Sequence, residues 1–94
     1  MTKEEVQENN EMTEAIKRKF GGKYEEYRQR VIESAPEEIK NISYTGLTAM
    51  RNSYTLHAEK HIDNDKKRRD YMSLAIQLQI IIDHKMQQDG LTKN

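Results

Sequence analysis

One segment of about forty residues, 47–86, constrains the fold of this chain more than any other. Apolar residues recur there at helical spacing on both sides of a short polar stretch, Asp63-Asn64-Asp65. Asp and Asn favour turns and helix ends, so two helices are expected to meet at this stretch and fold back on each other. We therefore predict a long antiparallel helical hairpin with arms at about 44–62 and 66–88.

The second arm carries more apolar surface than one neighbouring helix can cover. At 100° per residue, one broad side holds Tyr71, Leu74, Ala75, Leu78, Ile81, Ile82 and Met86, and we expect it to pack on the first arm. Met72, Ile76 and Ile80 form a second apolar stripe on another side. Either the upstream helices cover this second stripe, or another protein molecule does. We favour self-association through Met72, Ile76 and Ile80.

The residues before the hairpin predict shorter helices. A capping box at Thr2-Lys3-Glu4-Glu5 begins an N-terminal helix within 1–22, and the polar stretch 7–11 leads us to expect fraying of its first turns. Short helices follow within 23–42, separated near Pro36, and the last of them either continues into the hairpin or breaks near Ser43. After the hairpin, 43–89, Gly90 ends the second arm and leaves 90–94 as a loose tail.

Length and composition fit a single all-α domain, a small helical bundle over 1–94. Only 34% of the 94 residues are hydrophobic, which is little for a self-sufficient core of this size and favours an oligomer or a partner. Sixteen basic residues balance sixteen acidic ones, so the chain is not built to coat nucleic acid through charge alone. No apolar run is long enough to span a bilayer and the N-terminus lacks a signal-peptide pattern; we expect a cytoplasmic protein without membrane contact.

The sequence offers few candidates for chemistry. Without cysteine there is neither a disulfide nor a thiolate metal site. His57 and His61 are four residues apart on a helix and could face one metal ion, but only Asp65 is placed to serve as a third ligand. No nucleophile motif or glycine-rich phosphate loop is present. We predict no metal site, no cofactor and no enzymatic activity.

A run of four basic residues, Lys66-Lys67-Arg68-Arg69, opens the second arm. Cations at a helix N-terminus oppose the helix dipole and need compensation. Asp63 and Asp65 could provide it within the chain, or a bound phosphate could provide it from outside. The second reading makes His61 together with Lys66, Lys67, Arg68 and Arg69 a candidate site for RNA or a nucleotide.

Over residues 47–89, the hairpin resembles the central helices of the family of small-subunit ribosomal protein number fifteen. Leu47-Thr48-Ala49, His57, His61 and Arg68-Arg69 stand at that family's intervals without a gap. The resemblance implies a helical hairpin and contacts from His61 and Arg68-Arg69 to ribosomal RNA. The chain departs from the family pattern at Asn64, where the family has Asp, and at Lys67, where it has Ser. Its second arm is apolar at 78–80, and the family's final helix is missing.

Taken together, these patterns predict a non-enzymatic interaction protein. We expect it to dock on a macromolecular partner as an adaptor, an inhibitor or an accessory factor of a mobile element, and to self-associate through the C-terminal helix. The alternative is a protein that binds RNA or a phosphorylated ligand through the basic hairpin tip. An uncovered second stripe would support the first hypothesis, and salt-sensitive nucleic-acid binding would support the second.

Overall fold

The computed structural model describes residues 1–91 and confirms a small all-α bundle built on a helical hairpin. Its helices are α1 (Lys3–Phe20), α2 (Tyr24–Ser34), α3 (Glu37–Lys40), α4 (Tyr44–Lys60) and α5 (Asp65–Gln88), with a 3₁₀ turn at Gly21–Lys23 between the first two. The hairpin arms α4 and α5 pack along each other, and α1 and α2 pack against α5. Within residues 1–91, every helix is too short or too polar to span a lipid bilayer.

Local sequence signals account for most helix ends. The Thr2 hydroxyl accepts a hydrogen bond from the Glu5 N–H, and the Glu5 carboxylate accepts one from the Thr2 N–H, which completes the predicted capping box. The chain breaks between α3 and α4, where the Ser43 hydroxyl accepts from the Gly46 N–H and caps α4. In the same way the Asn64 side chain caps α5 by accepting from the Lys67 N–H.

The C-terminal end of α5 corrects the prediction of a loose tail at its first two residues. Gly90 adopts φ +72°, its N–H donates to the Gln87 carbonyl, and the Leu91 N–H donates to the Met86 carbonyl at 2.8 Å. This pair of bonds is a Schellman motif, and it brings the Leu91 side chain against the core. Residues 92–94 of the predicted tail lie outside the described residues.

The core lies where α5 meets the other helices. Its most buried apolar residues come from the hairpin, and α2 adds Tyr24 and Val31. Phe20 and Tyr27 stack at 4.7 Å between ring centroids and hold α1 and α2 together beside this core. The fully buried apolar side chains with the largest volumes are Leu47, Ile80, Ile82 and Met86. Because α5 contributes three of these four, it is the helix around which the others are arranged.

Candidate interaction surfaces

The structure removes Ile80 from the predicted interaction stripe. Ile80 is 1% exposed and belongs to the hydrophobic core, so the prediction that it lies on an open surface is wrong. Ile76 is half-buried and packs against the same core, and Met72 is also half-buried. The physical reason is that α1 and α2 pack on α5 and cover it on a second side. The intramolecular alternative therefore accounts for the burial of Ile80.

Apolar surface is instead accessible in a groove on the other side of α5. The groove has a volume of about 180 Å³, and one of its lining residues, Leu74, is 39% exposed. Its lining is mostly apolar, with Tyr54, Ser34 and Gln77 as the side chains that carry polar atoms. The end of α2, the start of α3 and the two hairpin arms form its walls, lined by Val31, Ser34, Ala35, Pro36, Ile39, Met50, Tyr54, Leu74, Gln77, Leu78 and Ile81. We call this surface the α4/α5 groove.

A buried polar network joins α1 to the hairpin. The Arg51 guanidinium, on a residue only 7% exposed, donates from Nη1 to Asn9 Oδ1 at 2.8 Å and to Gln79 Oε1 at 2.7 Å. Gln79 Nε2 donates in turn to the Asn9 carbonyl and to the Thr13 hydroxyl. Within residues 1–91 no carboxylate forms a salt bridge with Arg51, so neutral amide oxygens solvate this buried cation. Burial lowers the pKa of Arg51, and Glu8 partly opposes this shift.

A second polar cluster surrounds the buried Asp83 carboxyl near the end of α5. Asp83 Oδ2 accepts from Gln87 Nε2 at 3.1 Å. Burial raises the pKa of Asp83, and the opposing attraction of Lys17, Arg28 and His84 does not cancel it; Glu14 raises it further. The pKa of His84 is lowered by burial and by Arg28, whose guanidinium lies 3.4 Å from His84 Nδ1.

Tyr24 packs in the same region, and its phenol oxygen is the buried side-chain polar atom that lacks a hydrogen-bond partner within the described chain. Its pKa is raised, first by burial and then by the charge of Asp83. Lys17 places its ammonium 5.7 Å from the centre of the Tyr24 ring. Burial thus disfavours the charged forms of both Asp83 and Tyr24. The cluster lies on the side of α5 that α1 and α2 cover.

Near the turn of the hairpin, the two predicted histidines stack on one aromatic ring. Tyr71 of α5 stacks with His57 at 5.1 Å and with His61 at 5.6 Å between ring centroids, and Tyr54 lies 6.3 Å away. These contacts join the two arms near the turn. No group of three His, Asp or Glu side chains is arranged to hold a metal ion in the part of the chain that the structure describes.

The basic cluster at the tip is partly compensated within the chain. Arg68 Nη2 pairs with Asp65 Oδ1 at 2.8 Å, and its Nη1 donates to the Ile62 carbonyl. Arg69 Nε donates to the Asp65 carbonyl. The Asn64 cap already occupies the Lys67 N–H, which a phosphate at this helix N-terminus would otherwise use. Lys66 and Lys67 extend from the tip as exposed cations.

Comparison with known proteins adds no relative. No protein-family profile, no curated protein and no solved structure matches this chain. The resemblance of residues 47–89 to small-subunit ribosomal protein number fifteen therefore stays a prediction. What the chain binds has to be inferred from its own surfaces.

Several residues that organise these surfaces were not predicted from the sequence. Arg51 and Gln79 belong to residue types that usually contact solvent, and Asn9 lies in the polar stretch expected to fray. One signal was present: Asn9 and Thr13 are four residues apart, so they share one side of α1, as the apolar residues of a packed helix do. The α4/α5 groove gave no signal of its own, because its walls come from four helices that only the fold brings together.

Proposed function

We propose that this chain is a non-enzymatic interaction protein that docks on a protein partner through the α4/α5 groove. The observation that carries the proposal is the exposure of Leu74 in a groove whose walls are mostly apolar. Exposed apolar side chains in a concave surface lose contact with water when a partner fills it, which favours association. The interaction surface predicted at Met72, Ile76 and Ile80 thereby moves to the opposite side of the same helix.

The size of the groove favours a macromolecular partner over a small ligand. Sites for small molecules usually enclose about 300–1,000 Å³, whereas this groove has about 180 Å³. Such a volume accommodates one projecting side chain, and the surrounding surface then contacts the rest of the partner. The polar atoms of the lining belong to Ser34, Gln77 and Tyr54, which suit orientation of a docked chain and form no nucleophile–base pair.

Photo-crosslinking in the cells that express the protein tests this proposal. A photoreactive amino acid at Leu74 should capture a protein, while the same amino acid at Leu56 should not. Leu56 is a matched control because it is 56% exposed and lies about 180° around α4 from the buried Leu47. Equal capture at both positions, or no capture at Leu74, would contradict docking through the groove.

The alternative function, binding of RNA or a phosphorylated ligand at the tip, rests on the exposed Lys66 and Lys67 beside the stacked His57 and His61. A filter-binding titration against single-stranded RNA at low salt is its test. Binding that weakens with salt and disappears in Lys66→Glu/Lys67→Glu would favour this alternative. Absence of binding by the wild type would eliminate it.

A further inference from the structure

The turn between α4 and α5 displays an apolar side chain that suits the α4/α5 groove. Ile62, in the turn between α4 and α5, is 67% exposed and is the most exposed of the large hydrophobic side chains that the structure shows as exposed. It is displayed at the end of the hairpin, where its neighbours in the turn are polar or charged. A branched aliphatic side chain in that position exposes apolar surface at a protruding point. We call residues 59–69 the hairpin tip.

The space in the α4/α5 groove suits such a side chain. A volume of 180 Å³ corresponds to about six water molecules in the liquid, which is ample for the four carbons of an isoleucine side chain. Leu74, Met50 and Ile39 would surround the inserted side chain with aliphatic and thioether groups. Burial of both Ile62 and Leu74 would remove two exposed apolar side chains from water in one contact.

The charges around the two features are complementary. Acidic residues stand next to the groove's lining in the sequence and are exposed: Glu33, Glu37 and Glu38 on the α2–α3 side, and Asp70 one turn before Leu74 on α5. Among the basic sequence neighbours, Arg51 is buried and donates to Asn9 and Gln79, and Lys40 is paired with Glu37 at 3.6 Å. Arg30 is exposed, so the exposed charged side chains next to the lining are mostly acidic. At the hairpin tip the excess is positive, because Lys60, Lys66, Lys67, Arg68 and Arg69 outnumber Glu59, Asp63 and Asp65.

From this match of shape, apolarity and charge we infer that the groove receives the hairpin tip of a second copy of this chain, with Ile62 inserted beside Leu74. The inference rests on the proposed docking function of the groove and names its occupant. Because the tip and the groove are different surfaces, the contact is head-to-tail: each copy uses its tip toward one neighbour and its groove toward another. The lysines of the tip then approach the acidic residues Glu33, Glu37, Glu38 and Asp70, which makes the association sensitive to salt.

A mixing experiment with two variants tests this arrangement. Ile62→Glu abolishes the apolar contact of the hairpin tip and leaves the groove intact. Leu74→Glu places a charge in the groove and leaves the hairpin tip intact. Both substitutions are at exposed positions, and circular dichroism should show that each variant keeps its helices. In analytical ultracentrifugation at up to about 1 mM, since a contact of this size is weak, the wild type should associate and each variant alone should be monomeric.

The mixture decides the outcome. Each variant supplies the surface that the other lacks, so an equimolar mixture should form a one-to-one heterodimer that grows no further, and added salt should weaken it. Leu56→Glu is the control and should associate as the wild type does. A wild type that is monomeric throughout, a mixture that remains monomeric, or dissociation of Leu56→Glu would each overturn the inference.

Failure of self-association is distinguishable from failure of docking. A monomeric wild type whose Leu74 position still captures a different protein in the crosslinking experiment would refute the second copy as occupant and leave the docking function standing. A monomeric wild type without capture at Leu74 would refute both.

Discussion

Two sides of α5 differ in how they are covered: the side that packs on α1, here called the α1 seam, and the side that lines the α4/α5 groove, here called the groove seam. Gln79 and Gln77 show the contrast. Gln79 faces α1, is fully buried, and takes part in the network with Arg51 and Asn9. Gln77, two residues earlier, faces the α4/α5 groove, is half-buried, and donates to the Ser73 hydroxyl on its own helix. Polar groups with fixed partners seal the first seam, whereas apolar groups without a cover line the second.

The difference follows from the small apolar content of the chain. About a third of the residues are hydrophobic, which is few for a domain of this size. The α1 seam is closed by a polar network whose amides are hydrogen-bonded within the chain. A satisfied buried network of this kind favours one packing arrangement of α1 on the hairpin. The groove seam is lined mostly by apolar side chains, and these would contact a partner in the function proposed above. A surface suited to a partner can thus arise where the helices of the fold leave apolar side chains uncovered.

The largest expected effect on stability is the difference between two single variants, Gln79→Leu and Gln77→Leu. Gln79→Leu leaves the buried Arg51 cation short of a hydrogen-bond partner, and we expect the free energy of unfolding to fall by about 3 kcal/mol. Gln77→Leu breaks a single bond on a half-buried surface and should change it by less than about 0.5 kcal/mol. Urea unfolding of both variants checks the contrast. Equal losses would show that the two seams are not energetically different.

Removal of the Tyr24 hydroxyl should have a smaller effect of opposite sign. The phenol oxygen is buried without a partner in the described chain, so Tyr24→Phe removes a desolvated polar group while it keeps the ring in the core. We expect the free energy of unfolding to rise by about 1 kcal/mol. Chemical denaturation at pH 7 measures it. A loss of stability would mean that the Tyr24 hydroxyl has a hydrogen-bond partner in the folded protein.

The smallest expected effect depends on pH and involves Asp83. Burial raises the pKa of Asp83 in the folded state above its ordinary value of 3.8, so the folded state binds a proton more readily than the unfolded state. Wild-type stability should therefore gain from Asp83 as pH falls toward 3.8, and lose that gain as pH rises through the folded-state pKa. Asp83→Asn lacks this dependence.

Unfolding of the two proteins across a pH series measures the contribution of Asp83 together with its effect on His84, whose pKa is lowered by burial and raised by the charge of Asp83. Asp83→Asn should be the more stable protein at pH 7, and the difference should disappear near pH 4. A variant that is less stable than wild type at pH 7 would mean that Lys17 and Arg28 stabilise the carboxylate more than burial destabilises it.

The hairpin was predictable because local signals agree with one another along it. The Asp63–Asp65 turn, the Ser43 break and the Gly90 terminus correspond to caps in the structure. The prediction for the second apolar stripe failed at Ile80 because a helical wheel shows which residues need a cover and not which element supplies it. Arg51 was not predicted as buried, since its burial depends on amides that are distant in sequence, Asn9 and Gln79.

The direct test of the open seam is intermolecular paramagnetic relaxation enhancement from a nitroxide at the hairpin tip. Because the chain has no cysteine, Asp63→Cys provides one labelling site beside Ile62 and leaves the tip lysines intact. When this protein is mixed with a methyl-labelled copy that carries no nitroxide, the methyl signals of Leu74 and Ile39 should broaden while those of Leu56 stay sharp. No broadening at Leu74, or equal broadening at Leu56, would contradict insertion of the tip into the groove.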